Sequence, residues 1–223
     1  MKTWPIYVAM QNATAYGAGI ASPHTDDQHA LMAAGYFERL GRWRPEAHGL
    51  IIGPGGAGEV QALMSALPAP LCVLVGHEPE VGVVRAACPS AVVALGDMHD
   101  MSYQSGLFAA VYAANVLEHA LAPYCALMEI RRVLRIGGVA YLVMPAFDGP
   151  DGGRGPYHLH CLDPKTWGEL LRKAGLVLAD VIHVAGTLDS TVSYTHYRCV
   201  AGPLDPPHDR VMQELITFRA GAP

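Results

Sequence analysis

From Gly49 to Met144 short unbroken apolar runs alternate with amphipathic segments, and few folds accept that alternation. The runs are "GLII", "LCVLVG" (71–76), "AVVAL" (91–95), "FAAVYAAN" (108–115) and "VAYLVM" (139–144). Each has the length and continuity of a strand buried on both faces. Between the first two lies "EVQALMSAL" (59–67), whose Val60, Leu63, Met64 and Leu67 share one helical face and which meets Pro68 and Pro70 at its end. Further helices are predicted from Pro79 to Ala87 and from about Leu121 to Leu134. Strands separated by helices pair in parallel through right-handed crossovers, so the chain reads as a doubly wound α/β sheet.

The carboxyl-terminal third changes the pattern. Asp163 as N-cap, Pro164 at the first helical position, and Trp167, Leu170, Leu171 and Ala174 on one face predict a helix that stops at Gly175. Two strands follow, "LVLADVIHVA" (176–185) and "TVSYTHYRCV" (191–200), joined by "GTLDS". So short a connection joins strands only antiparallel, and the parallel sheet ends in a hairpin. "PAFDGPDGGRGP" (145–156) reads as a long loop at the carboxyl end of a strand. The expected division is an N-terminal lid or cap over 1–45, with a helix at 27–41, a main domain over 46–202 and a tail over 203–223.

A length of 223 residues suits one large α/β domain. A net charge of −5 without a Lys/Arg-rich run argues against nucleic acid and favours a small-molecule substrate. The five cysteines, at 72, 88, 125, 161 and 199, include no C-x-x-C, so neither a disulfide framework nor a structural zinc site is expected. No apolar segment approaches the roughly 20 residues of a spanning helix, and the amino terminus lacks a signal-peptide core. The expectation is a soluble cytoplasmic protein without a membrane partner, its oligomeric state unspecified.

The stretch "GLIIGPGGAGEV" (49–60) carries the first chemical signal. Gly53, Gly55 and Gly58 satisfy the G-x-G-x-x-G spacing of a nicotinamide dinucleotide site, and Glu78 stands 20 residues beyond the last glycine. A carboxylate there accepts hydrogen bonds from vicinal ribose hydroxyls; the plain alternative is a solvated residue opening the next helix. In "ALGDMHDM", Asp97 at the end of the third strand can accept from an adenine amino group while the Met98 N–H meets a ring nitrogen; an Asx-turn explains the same Asp97. His99 and Asp100 have no assigned part.

"FAAVYAANVLEHALAPYCALMEIRRVLRIGGVAYLVMP" resembles the class I S-adenosylmethionine-dependent methyltransferases of the small-molecule branch. The "NVLEH" after a strand, the helix ending in "RVL" and the "GG" before the next strand carry the resemblance, which extends from about Gly49 to Ala201. It implies a Rossmann-like seven-stranded sheet with the last strands antiparallel. It implies S-adenosylmethionine as cofactor, with Gly53, Gly55 and Ala57 or Gly58 against its methionine part, Glu78 on the ribose, Asp97 and Met98 on the adenine, and Asn115 beside the reacting centre. The sequence departs from the family in placing Ile51 where an acid is usual and Ala109 where an Asp is common.

Methyl transfer from a sulfonium asks mainly for orientation in a dry pocket. An O, N or C nucleophile of a small-molecule acceptor is expected, with His119, His158 and His160 as candidate bases and His24 or Tyr16 in the lid behind them. His119 also suits a packing role. "HLH" at 158–160 would also suit a metal pair with Asp148 and Asp151 nearby, but further ligands are missing and no metal is expected. Two alternatives stand beside this reading: a non-catalytic cofactor-binding subunit of the same fold, pointed to by Ile51 and Ala109, and an NAD-dependent oxidoreductase, pointed to by the glycine spacing.

Overall fold

The computed structural model describes residues 25–146, 158–184 and 193–203. Its elements run α1 (Thr25–Arg39), β1 (His48–Ile52), α2 (Ala57–Leu63), β2 (Leu71–Val75), α3 (Glu78–Ala87), β3 (Val92–Leu95), β4 (Phe108–Ala114), a 3-10 turn (Leu117–His119), α4 (Pro123–Val133), β5 (Leu134–Pro145), α5 (Pro164–Lys173), β6 (Leu176–Val184) and β7 (Tyr194–Ala201). The strands form one seven-stranded sheet in the order β3-β2-β1-β4-β5-β7-β6. β1 to β5 pair in parallel, while β7 is antiparallel to both β5 and β6. The alternating pattern and the terminal hairpin are both realised.

Burial decides how the hairpin attaches. In β6 only Leu176 is buried and Val177 to Val181 are all exposed, whereas Thr195, His196, Tyr197, Cys199 and Ala201 of β7 are buried. β7 therefore takes the inner place beside β5 and leaves β6 at the edge, where Asp180 pairs with Arg198 at 2.7 Å. A charged residue on an edge strand discourages further pairing.

Side chains alternate between two faces. Leu50, Ile52, Leu74, Val111, Ala113, Leu142 and Tyr197 meet α4 and α5 through Leu127, Ile130, Trp167 and Leu171. Ile51, Val73, Tyr112, Tyr141 and Val143 meet α1, α2 and α3 through Phe37, Val60, Leu63 and Val84. The helix at the amino end thus packs on a sheet face; residues 1–24 lie outside those described.

Several boundaries differ from expectation, the amino-terminal helix spanning Thr25–Arg39 where 27–41 was expected. α2 ends at Leu63, and the turn after it offers the Ala66 carbonyl to Trp43 Nε1 at 2.8 Å. α4 starts at Pro123, because "LEH" forms its own 3-10 turn first. β5 begins at Leu134 since Gly137, at φ +75°, turns the chain without ending the pairing.

Behind β5 and β7 lies a buried aromatic group. His29 packs edge-on to Tyr194 and His196, with ring centroids 4.5 and 4.9 Å away, and His196 Nδ1 lies 2.8 Å from the Tyr141 hydroxyl. Burial lowers the His29 pKa to about 4; burial, then the charges of His29 and Arg198, lower that of His196 to about 3. The unfolded chain takes up these protons near pH 6.5. It therefore binds more protons than the folded chain below that value, and stability is full above about 6.5 and falls as the pH falls. Urea melts should lose on the order of 2–4 kcal/mol between about pH 7 and 5, and His29→Leu should reduce that slope. A flat profile would contradict neutral buried imidazoles.

Candidate functional site

The chain order reverses between β1 and β4. The crossover after β1 leaves toward one face and that after β4 toward the other, so a crevice opens at the carboxyl ends of these neighbours, where ligands bind in open α/β sheets. The loops after β1, β2, β3 and β4 all arrive there.

After β1, Gly53 adopts φ +58° and donates its N–H to the Leu74 carbonyl at 2.8 Å. A Cβ at this residue would stand 2.6 Å from Val116 Cγ1, so only glycine lets the two loops pass this closely. Gly55 N–H donates to Glu59 Oε2 at 2.9 Å, and the Tyr112 hydroxyl donates to Glu59 Oε1 at 2.7 Å. Glu59 is 3 % exposed and braces the loop from below. Tyr112 is the register partner of Ile51 across β1 and β4, so the apolar Ile51 and the acid of this region sit side by side on different elements. Gly56 and Ala57 are partly buried in the loop and Gly58 is exposed.

After β2, Glu78 is the exposed first residue of α3. After β3, Asp97 Oδ1 accepts from the His99 N–H at 2.9 Å and lies 2.7 Å from His99 Nδ1. This is the Asx-turn that the sequence allowed, and it ties the loop to α4, because the Ala122 N–H donates to His99 Nε2 at 3.4 Å. Met98 is half-buried against the core, and Asp100 is exposed.

The reason for "EIRR" in α4 lies in the same loop. Arg132 grips Glu129 through two 2.8 Å contacts and donates to the carbonyls of Met101 and Tyr103 at 2.8 and 2.7 Å, while Glu129 accepts from the Met101 N–H at 2.9 Å. The pair fixes Met101 and Tyr103, just after Asp97 and Met98 on the same loop. Sequence reasoning missed it, as it missed Glu59, since both act on distant backbone.

After β4, Asn115 takes a positive φ of 51°, which Asn tolerates better than most residues, and donates its N–H to Val143 O at 3.0 Å. The 3-10 turn follows. Its Glu118 carbonyl accepts from the N–H groups of both Leu159 and His160, at 2.9 and 3.1 Å. These bonds bring His158 over His119, with ring centroids 5.0 Å apart at 70°. Glu118, His119 and His158 each offer a ligand atom within 4.8 Å of the others, and Glu118 is 1 % exposed. The segment is held by one carbonyl and is not a strand, so His158 neighbours His119, while His160 Nε2 lies 3.4 Å from Leu121 O. His24, Tyr16, Asp148 and Asp151 lie outside the described residues. A shallow groove lined by Arg42, Trp43, Arg44 and Pro68 opens at the opposite edge of the sheet, and none of these candidate residues lines it.

Residues 50–142 match the family model described as a methyltransferase domain. No curated protein sequence matches the chain. Solved structures share the fold. A Haloferax volcanii methyltransferase held in complex with the Trm112 activator is 18 % identical with a TM-score of 0.69, over 85 % of this chain and 97 % of that one. The [4+2]-cyclase SpnF is 16 % identical with a TM-score of 0.64, over 78 % and 81 %. The geranyl diphosphate C-methyltransferase of Streptomyces coelicolor, crystallised with Mg2+, geranyl diphosphate and S-adenosyl-L-homocysteine, is 11 % identical with a TM-score of 0.63, over 76 % and 77 %.

The loop geometry sets a stability test. Gly53→Ala meets both a left-handed φ and the Val116 methyl, and should cost about 1–3 kcal/mol in denaturant melts. Gly56→Ala, at φ 171° with open space around it, should stay within about 0.5 kcal/mol of the parent. Equal costs at the two positions would contradict the close passage.

Proposed function

We propose that this chain, whose residues 50–142 match a methyltransferase-domain family model, is a class I S-adenosylmethionine-dependent methyltransferase that methylates an O, N or C nucleophile of a small-molecule acceptor bound at the carboxyl edge of the sheet. The observation that carries the reading is the convergence of four loop ends on the β1/β4 crevice. The glycine loop, Glu78, Asp97 and Asn115 each come from a different strand end.

The cradle suits the cofactor. Gly53, Gly55, Ala57 and Gly58 let it approach the backbone, and an added Cβ at Gly56 would meet nothing within 4 Å. Glu78, exposed where β2 gives way to α3, accepts ribose hydroxyls. Asp97 and the Met98 N–H face the adenine on a loop held just after them by the Glu129–Arg132 clamp. S-adenosylmethionine, when bound there, would supply an activated methyl group to an in-line nucleophile. Asn115 marks the reacting centre, and the proton of an O–H or N–H acceptor leaves in the direction of His119 and His158, with His160 set apart beside Leu121. His suits the task because its ordinary pKa lies near neutrality.

The S. coelicolor neighbour methylates a small molecule, which supports the acceptor class. The cyclase neighbour supports a second reading, a ligand-binding scaffold of this fold without methyl transfer, to which Ile51 and Ala109 also point. The Haloferax complex keeps a protein partner open as well.

Saturating S-adenosylmethionine should raise the melting temperature by several degrees, and Glu78→Ala should remove most of that shift, since a ligand that binds only the folded state stabilises it by mass action. NADH should produce none. Silence with S-adenosylmethionine overturns the reading, and a shift with NADH alone would revive the oxidoreductase.

A further inference from the structure

We propose that Glu118, His119 and His158 bind a divalent zinc-class metal ion at the end of β4, and that this ion takes a hydroxyl oxygen of the acceptor as a further ligand. Two imidazoles and one carboxylate are a donor set that first-row divalent ions accept, and three protein ligands leave a coordination position for substrate. On a tetrahedral zinc, ligand atoms stand roughly 3.4 Å apart. Those of the cluster lie within 4.8 Å of one another, a gap that small side-chain rotations close.

Three further features support a built site. Glu118 is 1 % exposed, so a cation it ligated would be held largely away from water, where its attraction to a carboxylate is stronger. The two histidines arrive on separate segments that are bonded together through backbone, Leu159 and His160 both donating to the Glu118 carbonyl. Their rings are already in contact at 5.0 Å. The cluster begins three residues past Asn115, on the turn that the crevice requires.

The chemistry follows from the charge. A hydroxyl bound to a divalent cation gives up its proton near neutral pH, because the cation stabilises the oxyanion. The O–H bond breaks with the proton going to solvent, the oxygen then forms its bond to the methyl carbon, and the carbon–sulfur pair leaves with sulfur. His119 and His158 act as ligands here, and no imidazole base is needed. The acceptor narrows to an alcohol or phenol. This substrate half rests on the methyl-transfer reading, whereas the metal half stands on the cluster alone.

The test is calorimetric titration of the chelator-treated full chain with Zn2+ and, separately, with S-adenosylmethionine. The expected result is one Zn2+ per chain, affinity reduced about tenfold or more by His119→Ala and by His158→Ala, and no change with His183→Ala or Cys161→Ser. S-adenosylmethionine affinity should be unaffected by His158→Ala, and thermal melts of each variant should show that it folds. Absence of stoichiometric zinc, or variants at 119 and 158 that bind it like the parent, overturns the site. Zinc binding without S-adenosylmethionine binding would instead remove the methyl-transfer reading and leave the metal standing.

Discussion

The carboxyl edge of this molecule depends on how closely two loops can pass. Gly53 and Val116 belong to the turns that leave β1 and β4, and the missing side chain at residue 53 is the space the Val116 methyl occupies. A larger residue there would push the glycine loop away from the turn that holds Asn115, Glu118 and His119. The two strands are paired in unbroken register from Gly49 to Ile52, so the loops cannot separate without disturbing the sheet.

The acid that braces the glycine loop comes from α2 and not from β1. Ile51 is fully buried among aliphatic and aromatic side chains, where a carboxylate would be desolvated without donors. Glu59 reaches the same region from α2 and finds two donors, the Gly55 N–H and the Tyr112 hydroxyl. A buried carboxylate with specific donors is tolerable, and this one fixes the loop conformation while doing so. The departure at Ile51 and the presence of Tyr112 in β4 thus form one arrangement.

What the sequence discloses depends on the range of the interaction. The cap at Asp163 was legible because it is local: its carboxylate accepts from the N–H groups of Lys165 and Thr166, two and three residues on. The strands were legible because β2 and β4 are buried throughout and read as unbroken apolar runs. The inner place of β7 was harder, since it depends on comparing the exposure of two strands that look alike in composition. Tyr112 and Glu59 stand 53 positions apart, and nothing local marks them as partners. "HLH" would put His158 and His160 on one face only if extended, and two backbone bonds to the Glu118 carbonyl hold the segment otherwise. The lone glutamate after the glycines and the acid inside "LEH" were visible; their roles were not.

Fold and reaction are separable here, as the likeness to both a cyclase and a C-methyltransferase indicates. What belongs to this chain is a chain of contacts through one edge. Gly53 meets Val116, Val116 leads directly into the 3-10 turn, and the carbonyl of Glu118 in that turn holds the 158–160 segment. A shift of the glycine loop would therefore move His119 and His158 together and preserve their spacing while changing their distance from the crevice. Groups that must keep their mutual geometry while adjusting to a ligand are best tied to one short turn, and the single doubly accepting carbonyl of Glu118 supplies that tie.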